Sequence, residues 1–167
     1  SRTVMTTLRS TPVGRAGGLR HVRRRRSMIY RITKEYVWFG SIPDHPGALA
    51  EKLRALSVGK LDLDLVLSRR EAPGRAVLFV SPLRTLEELE IAARAGFGKK
   101  DSFLTLRITG PNTPGLAAKV AGALAEAGIN IRSFTGAAVS DQHVTCIMFD
   151  SQTDVDQAKE VLDRLLA

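Results

Sequence analysis

The chain has 167 residues, 44% of them hydrophobic, with three histidines and a single cysteine. That is enough apolar material to bury one or two small cores, and it excludes a disordered chain and an internal disulfide framework. No apolar run approaches the roughly 18 to 20 residues that span a bilayer as a helix, so the expectation is a soluble, cytoplasmic protein with no membrane partner.

The net charge of +8 sits in one segment. Residues 1–27 hold eight of the 25 lysines and arginines (Arg2, Arg9, Arg15, Arg20, Arg23, Arg24, Arg25, Arg26) and no acid, which leaves 17 basic against 17 acidic side chains in residues 28–167. The tail is rich in Arg, Ser, Thr and Gly and lacks apolar periodicity, so it is expected not to pack. Three readings of it stand open. It is an extension without a folded role, from a start codon upstream of Met28; or a basic arm for nucleic acid or an acidic partner, with Arg23 to Arg26 as the phosphate cluster; or an organelle transit peptide without an evident amphipathic helix.

From Met28 the pattern turns to strand. Met28-Ile-Tyr-Arg-Ile and Tyr36-Val-Trp-Phe-Gly-Ser-Ile are rich in β-branched and aromatic residues around Thr33-Lys-Glu, as one long strand or two short ones. The loop 43–47 leads into a helix over 48–58 whose Leu49, Leu53 and Leu56 are expected to face a core. Leu61-Asp-Leu-Asp-Leu-Val-Leu alternates as a strand with one dry face, Glu71-Ala-Pro-Gly turns, and residues 75–81 return. A helix over 85–95 follows, with Leu86, Leu89 and Ala93 at helical steps, and Gly96-Phe-Gly-Lys-Lys-Asp is a linker or a short fourth strand. The second half repeats the order: strand 103–110, helix 113–127, strand 129–139, turn 140–142, strand 143–150 and helix 153–166. Asn112 or Thr113 is expected to cap the helix, Pro114 to sit in its first turn, and Gly128 to stop it in a left-handed conformation. Such a β-α-β-β-α unit gives an antiparallel sheet with both helices on one face, a ferredoxin-like α+β layer.

The repeat is visible residue by residue. Pro46 and Pro114, Gly47 and Gly115, Leu56 and Leu124, Asp44 and Asn112, and Asp62 and Asn130 all stand 68 positions apart, and so do Thr85 and Thr153. No gap is needed, which divides the chain into a tail (1–27), a first unit (28–99) and a second (100–167).

Asp44-His-Pro-Gly-Ala-Leu-Ala and Asn112-Thr-Pro-Gly-Leu-Ala-Ala, followed one helix later by Leu61-Asp-Leu and Gly128-Ile-Asn-Ile, resemble the signature of the ACT domain, a family of small regulatory modules that bind amino acids. The first copy departs from it at Lys60-Leu-Asp-Leu. The resemblance implies a stand-alone tandem ACT protein with no attached enzyme domain. It also implies a free amino acid as ligand, held between units by Asp44, His45, Gly47, Ala48 and Asp62 in the first and by Asn112, Thr113, Pro114, Gly115, Leu116, Asn130 and Ile131 in the second. A homodimer and a regulated enzyme are the implied partners.

The residue types fit that use. A glycine at 47 or 115 lets a ligand approach the backbone, and the first free N–H groups of the next helix carry partial positive charge that receives a carboxylate. Asp62 and Asn130 are expected near the same end of the sheet, where Asn130 donates and accepts while Asp62 only accepts and favours a cationic group. The plain reading stands beside this one: such residues begin many helices that bind nothing, and ACT-like units also serve as dimerisation modules.

No catalytic set is evident, so the chain is not expected to be an enzyme, and neither a cofactor nor a metal is expected. His21, His45 and His143 have no Cys or His partner at metal-ligand spacing. Cys146 alternates with Val144 and Met148 and reads as a buried small hydrophobe. Trp38 and Phe39 read as core or interface, and Asp62 with Asp64 as a solvated pair. A nucleic-acid binder using the Arg tail is the alternative, but the strands lack the interleaved basic and aromatic residues of an RNA-binding sheet.

Overall fold

The computed structural model describes residues 29–98 and 102–167. The basic tail, Met28 and the end of the linker lie outside the described residues. The elements are β1 (Arg31–Pro43), α1 (Ala48–Ser57), β2 (Leu65–Ala72), β3 (Arg75–Ser81), α2 (Leu86–Arg94), β4 (Ser102–Pro111), α3 (Leu116–Glu126), β5 (Ser133–Val139), β6 (Gln142–Met148) and α4 (Gln152–Leu166). The expected α+β architecture, β-α-β-β-α twice, is what the chain forms.

All six strands join in one antiparallel sheet of order β2-β3-β1-β4-β6-β5. The joint is the pairing of β1 with β4, from Arg31 opposite Thr109 to Trp38 opposite Ser102. Each half therefore uses the other's first strand as its own fourth strand, and in its described part the linker after α2 forms none. Sharing the two first strands removes two edges and, among the described residues, leaves only β2 and β5 unpaired on one side.

Alternation along β1 separates the two faces. Ile32 and Tyr30 pack on the core of the second half, beneath α3 and α4, with Leu106, Ile108, Val120, Leu124, Ile147 and Leu162. Ile42 and Trp38, on the same face, pack on the core of the first half with Leu56, Leu78, Val80, Ala92 and Phe97. All four helices thus cover one face. The opposite face carries Val37, Phe39, Val77, Phe79, Phe103 and Met148, with Arg132 over the Phe103 ring and Arg69 over that of Phe79.

Several sequence expectations need correction. Leu56 is 2% exposed, but Leu49 is 38% and Leu86 80% exposed, so Ala48 and Ala92 take the inward positions instead. The expected strands at 61 and 129 begin four residues late, at Leu65 and Ser133. Leu61 and Leu63 pack under the helices whereas Leu65 and Leu67 lie on the other face. The chain bends at Asp64, which breaks an alternation that looked continuous. The repeat also has a gap. Leu65 pairs with Ser81 and Ser133 with Met148, so the offset is 68 on the first strand of each hairpin and 67 on the second, because a bulge between Arg70 and Ala72 adds a residue. The two threonines are not equivalent: Thr85 caps α2 in a capping box with Glu88, while Ser151 caps α4 and Thr153 lies inside it.

Candidate functional site

In the second half, the chain leaves β4 at Pro111 and enters α3 at Leu116. Neither Asn112 nor Thr113 caps the helix; Gly115 is the N-cap, with φ of 81° and no side-chain cap, and Pro114 precedes the helix rather than opening it. Only a residue without Cβ adopts that φ readily, and nothing lies within 4 Å of where a Cβ would stand. The Leu116 amide donates to the Thr113 carbonyl and the Lys119 amide to that of Gly115. The amides between them, of Ala117 and Ala118, are the free donors of the first turn. Gly128 ends the segment at φ of 71°, as expected.

Beside this helix start lies an open cleft of ≈ 670 Å³. Asn112 to Ala118 form one wall, Phe134 and the run Gly136, Ala137, Ala138 of the edge strand the other, and His143 and Thr145 of β6 complete it. The cleft exists because the residues facing each other across it are small. The Asn112 amide donates to the Asp141 carbonyl over 2.7 Å, tying the loop to the hairpin tip.

The polar groups of the cleft are largely engaged within the protein. Tyr30, just before β1, shares a 2.9 Å hydrogen bond with the Thr113 hydroxyl, and its ring lies over Gly110 so closely that a Cβ there would stand 2.5 Å from it. Tyr30 also meets the His143 ring edge to face at 6.3 Å, so a residue of the first half supports two lining residues of a site in the second. His143 Nε2 shares a 2.9 Å hydrogen bond with the Thr145 hydroxyl, while its Nδ1 is buried without a partner of acceptable geometry. Burial pushes the His143 pKa below its ordinary value, against a smaller upward pull from the Gly110 backbone, so the ring is neutral near pH 7.

The structure brings Asn112, Thr113, Pro114, Gly115 and Leu116 together in this cleft. It does not bring Asn130 or Ile131 there. The expectation that Asn130 and Asp62 lie at the loop end of the sheet is corrected by the pairing: β5 runs parallel to β4, so it begins beside Thr105 and Met148, where β4 begins. Ile131 packs on the helix-side core, and Asn130 is exposed. Asp62 lies correspondingly far from its loop and offers its backbone carbonyl to Arg84 at 3.3 Å.

The first half does not reproduce the cleft. Gly47 does cap α1 at φ of 95°, and His45 is exposed against the Pro46 carbonyl. But Asp44 is held by Arg70, with Nε to carboxylate at 2.6 Å. Strand pairing makes Arg70, opposite Ala76, the counterpart of Ala138, opposite His143. An ion pair thus spans the place that is open in the second half. Of the expected residues there, Ala48 lines a cavity of ≈ 300 Å³ that reaches toward Lys52 and Arg94.

A second polar cluster lies on the helix-free face, across the joint of the halves. Arg107 of β4 reaches Asp64 at 2.6 Å and Glu35 of β1 at 3.8 Å, and Arg84 reaches Asp64 at 3.2 Å. Asp64 is therefore an ion-pair partner rather than half of a solvated pair with Asp62. Cys146 is buried, and burial, with Glu35 and Asp64 nearby, pushes its thiol up to about 11 against the opposing pull of Arg107. Such a thiol is a poor nucleophile. Among the described residues no cluster of three or more His, Cys, Asp or Glu could hold a metal, and no helix is long and apolar enough to cross a membrane.

The residues that the sequence reading missed are Tyr30, Ala117, Ala118, Phe134, Gly136, Ala137, Ala138, His143 and Thr145. The run Gly136-Ala-Ala on an edge strand was the one available signal, since small residues there leave room beside a helix start.

Comparison with known proteins bears on the same region. No curated protein matches the chain. Among solved structures, protein BT0572 from Bacteroides thetaiotaomicron is similar with a TM-score of 0.67 at 19% identity, over 80% of this chain and 89% of that one. The regulatory subunit of aspartate kinase from Thermus thermophilus, in a ligand-free form, is similar at 0.56 and 20% identity, over 83% of this chain and 97% of that one. The corresponding subunit from Thermus flavus gives 0.54 and 19% over the same shares. At these identities the likeness is one of fold. The family model described as the ACT domain matches residues 104–167, which run from within β4 to the end of α4 and contain the cleft.

Proposed function

We propose that this chain is a regulatory protein, two ACT-like units in tandem over 28–99 and 100–167, that binds a free amino acid in the cleft of the second unit. The observation that carries the reading is the cleft itself: a left-handed Gly115 presents the unused amides of Ala117 and Ala118 to a space large enough for an amino acid. Those amides, at the positive end of α3, receive the ligand carboxylate, and Asn112 in the same wall is the polar residue for the ammonium group. The ACT match over this half and the likeness to regulatory subunits of aspartate kinase support it.

One ligand binds per chain, because Arg70 and Asp44 occupy the corresponding place in the first unit. The signal passes through assembly or an enzyme partner. The cleft is walled by edge strand β5, whose residues from Gly136 onward are exposed, so a second copy that paired with this edge would bury the ligand and be favoured by it.

The test is a thermal-shift screen of the full chain against the twenty amino acids. A ligand at 100 times its dissociation constant adds about 2.7 kcal/mol to the folded state. Ala118→Glu places an acid in the first turn of α3, which suits the helix but repels a carboxylate, so it should abolish the shift without lowering the midpoint. A screen with no shift would remove the sensing role and leave a ligand-free dimerisation module.

A further inference from the structure

We infer that the amino acid bound in this cleft has an uncharged, apolar side chain, of the branched aliphatic or aromatic kind. The inference rests on the amino-acid-binding reading above and deepens it. Its basis is the composition of the walls: of the residues that line the cleft, none carries a charge at neutral pH. His143, the one titratable group among them, is kept neutral by burial.

A charged ligand side chain would shed water against walls that hold no counter-charge, and such a group is excluded unless it is paired. The Thr113 and Thr145 hydroxyls are already shared with Tyr30 and His143, which leaves a polar ligand side chain few partners among the side chains of the cleft. The rest of the side-chain lining is mostly apolar surface, from Pro114, Phe134, Ala137 and Ala138. A pocket of that kind selects by fit of hydrocarbon rather than by hydrogen bonding. The first unit shows the contrast within one chain, since the counterpart of Ala138 is the charged Arg70 and its partner Asp44 replaces the neutral Asn112.

The experiment is calorimetric titration of the full 167-residue chain with leucine, valine and phenylalanine against aspartate, lysine and arginine, for the native sequence and for Ala138→Asp. Position 138 is exposed and its counterpart already bears a charge, so the variant should fold, which circular dichroism checks. The native protein should bind at least one apolar amino acid about tenfold or more tighter than any charged one, and the variant should lose that preference toward lysine or arginine. Binding of aspartate, lysine or arginine as tightly as the apolar set, and sensitive to Ala118→Glu, would overturn the inference while leaving the binding site in place. Binding of no amino acid would overturn the site, and this inference with it.

Discussion

Replacing Arg107 by Met tests whether the joint between the halves is held by charge as well as by strand pairing. Arg107 lies between Asp64 and Glu35, whose side chains are 35% and 14% exposed. Removing one partner of a fully buried pair costs roughly 3–5 kcal/mol. Here Asp64 is about one-third exposed and keeps Arg84, so the loss falls mainly on Glu35 and should be about 2 kcal/mol at pH 7. The pH dependence has a definite sign. Burial raises the Glu35 pKa above the ordinary carboxylate value of 4.5, and Arg107 and the Ser81 hydroxyl oppose that rise. A carboxyl whose folded pKa is raised contributes stability that is present below 4.5 and lost as pH climbs through the folded value. Arg107→Met removes the largest opposing influence, so the folded pKa rises further and the variant should be penalised more at pH 7 than at pH 4.5. Urea unfolding of the native chain, Arg107→Met, Glu35→Gln and the double variant at both pH values gives the cycle. We expect a coupling of about 1 kcal/mol at pH 7. A penalty independent of pH, with the two substitutions additive within about 0.5 kcal/mol, would refute the account.

Other expectations are more local. Gly110→Ala drives a Cβ to 2.5 Å from the Tyr30 ring and should cost about 1–3 kcal/mol by thermal melting, while Tyr30→Ala in the same chain should recover much of that loss. If the double variant is no more stable, Tyr30 is not the obstacle. Leu56→Ala should cost about 2–5 kcal/mol and Leu49→Ala well under about 1 kcal/mol, although the two leucines look alike in the sequence. Equal losses in denaturant would contradict the observed orientation of α1. Cys146, with its thiol raised to about 11, should resist alkylation at pH 8 in the folded chain and react once urea unfolds it. Prompt stoichiometric labelling of the folded protein would show that the strand opens.

The amino-acid sequence determined the element order and much of the fold class, since the Pro-Gly loops and apolar spacings recur at a nearly constant offset and each marks its element locally. It also pointed to the Gly115 loop, because a Pro-Gly pair before a helix lets a ligand approach the backbone, although the left-handed cap at Gly115 itself was not read from it. Long-range contacts decided the rest. Alternation through Leu61, Leu63, Leu65 and Leu67 suggested one strand, but a bend at Asp64 sends the pairs to opposite faces, and no spacing rule registers a bend. Asn130 looked like a neighbour of Asn112, yet the direction of β5 puts it at the far end of the sheet. The closing of the first loop by Arg70 depends on which residue of β2 lies beside it, and the presence of Tyr30 at the second cleft depends on β1 pairing with β4. Those neighbours are far apart along the chain, and only pairing of the strands across the whole sheet brings them within reach.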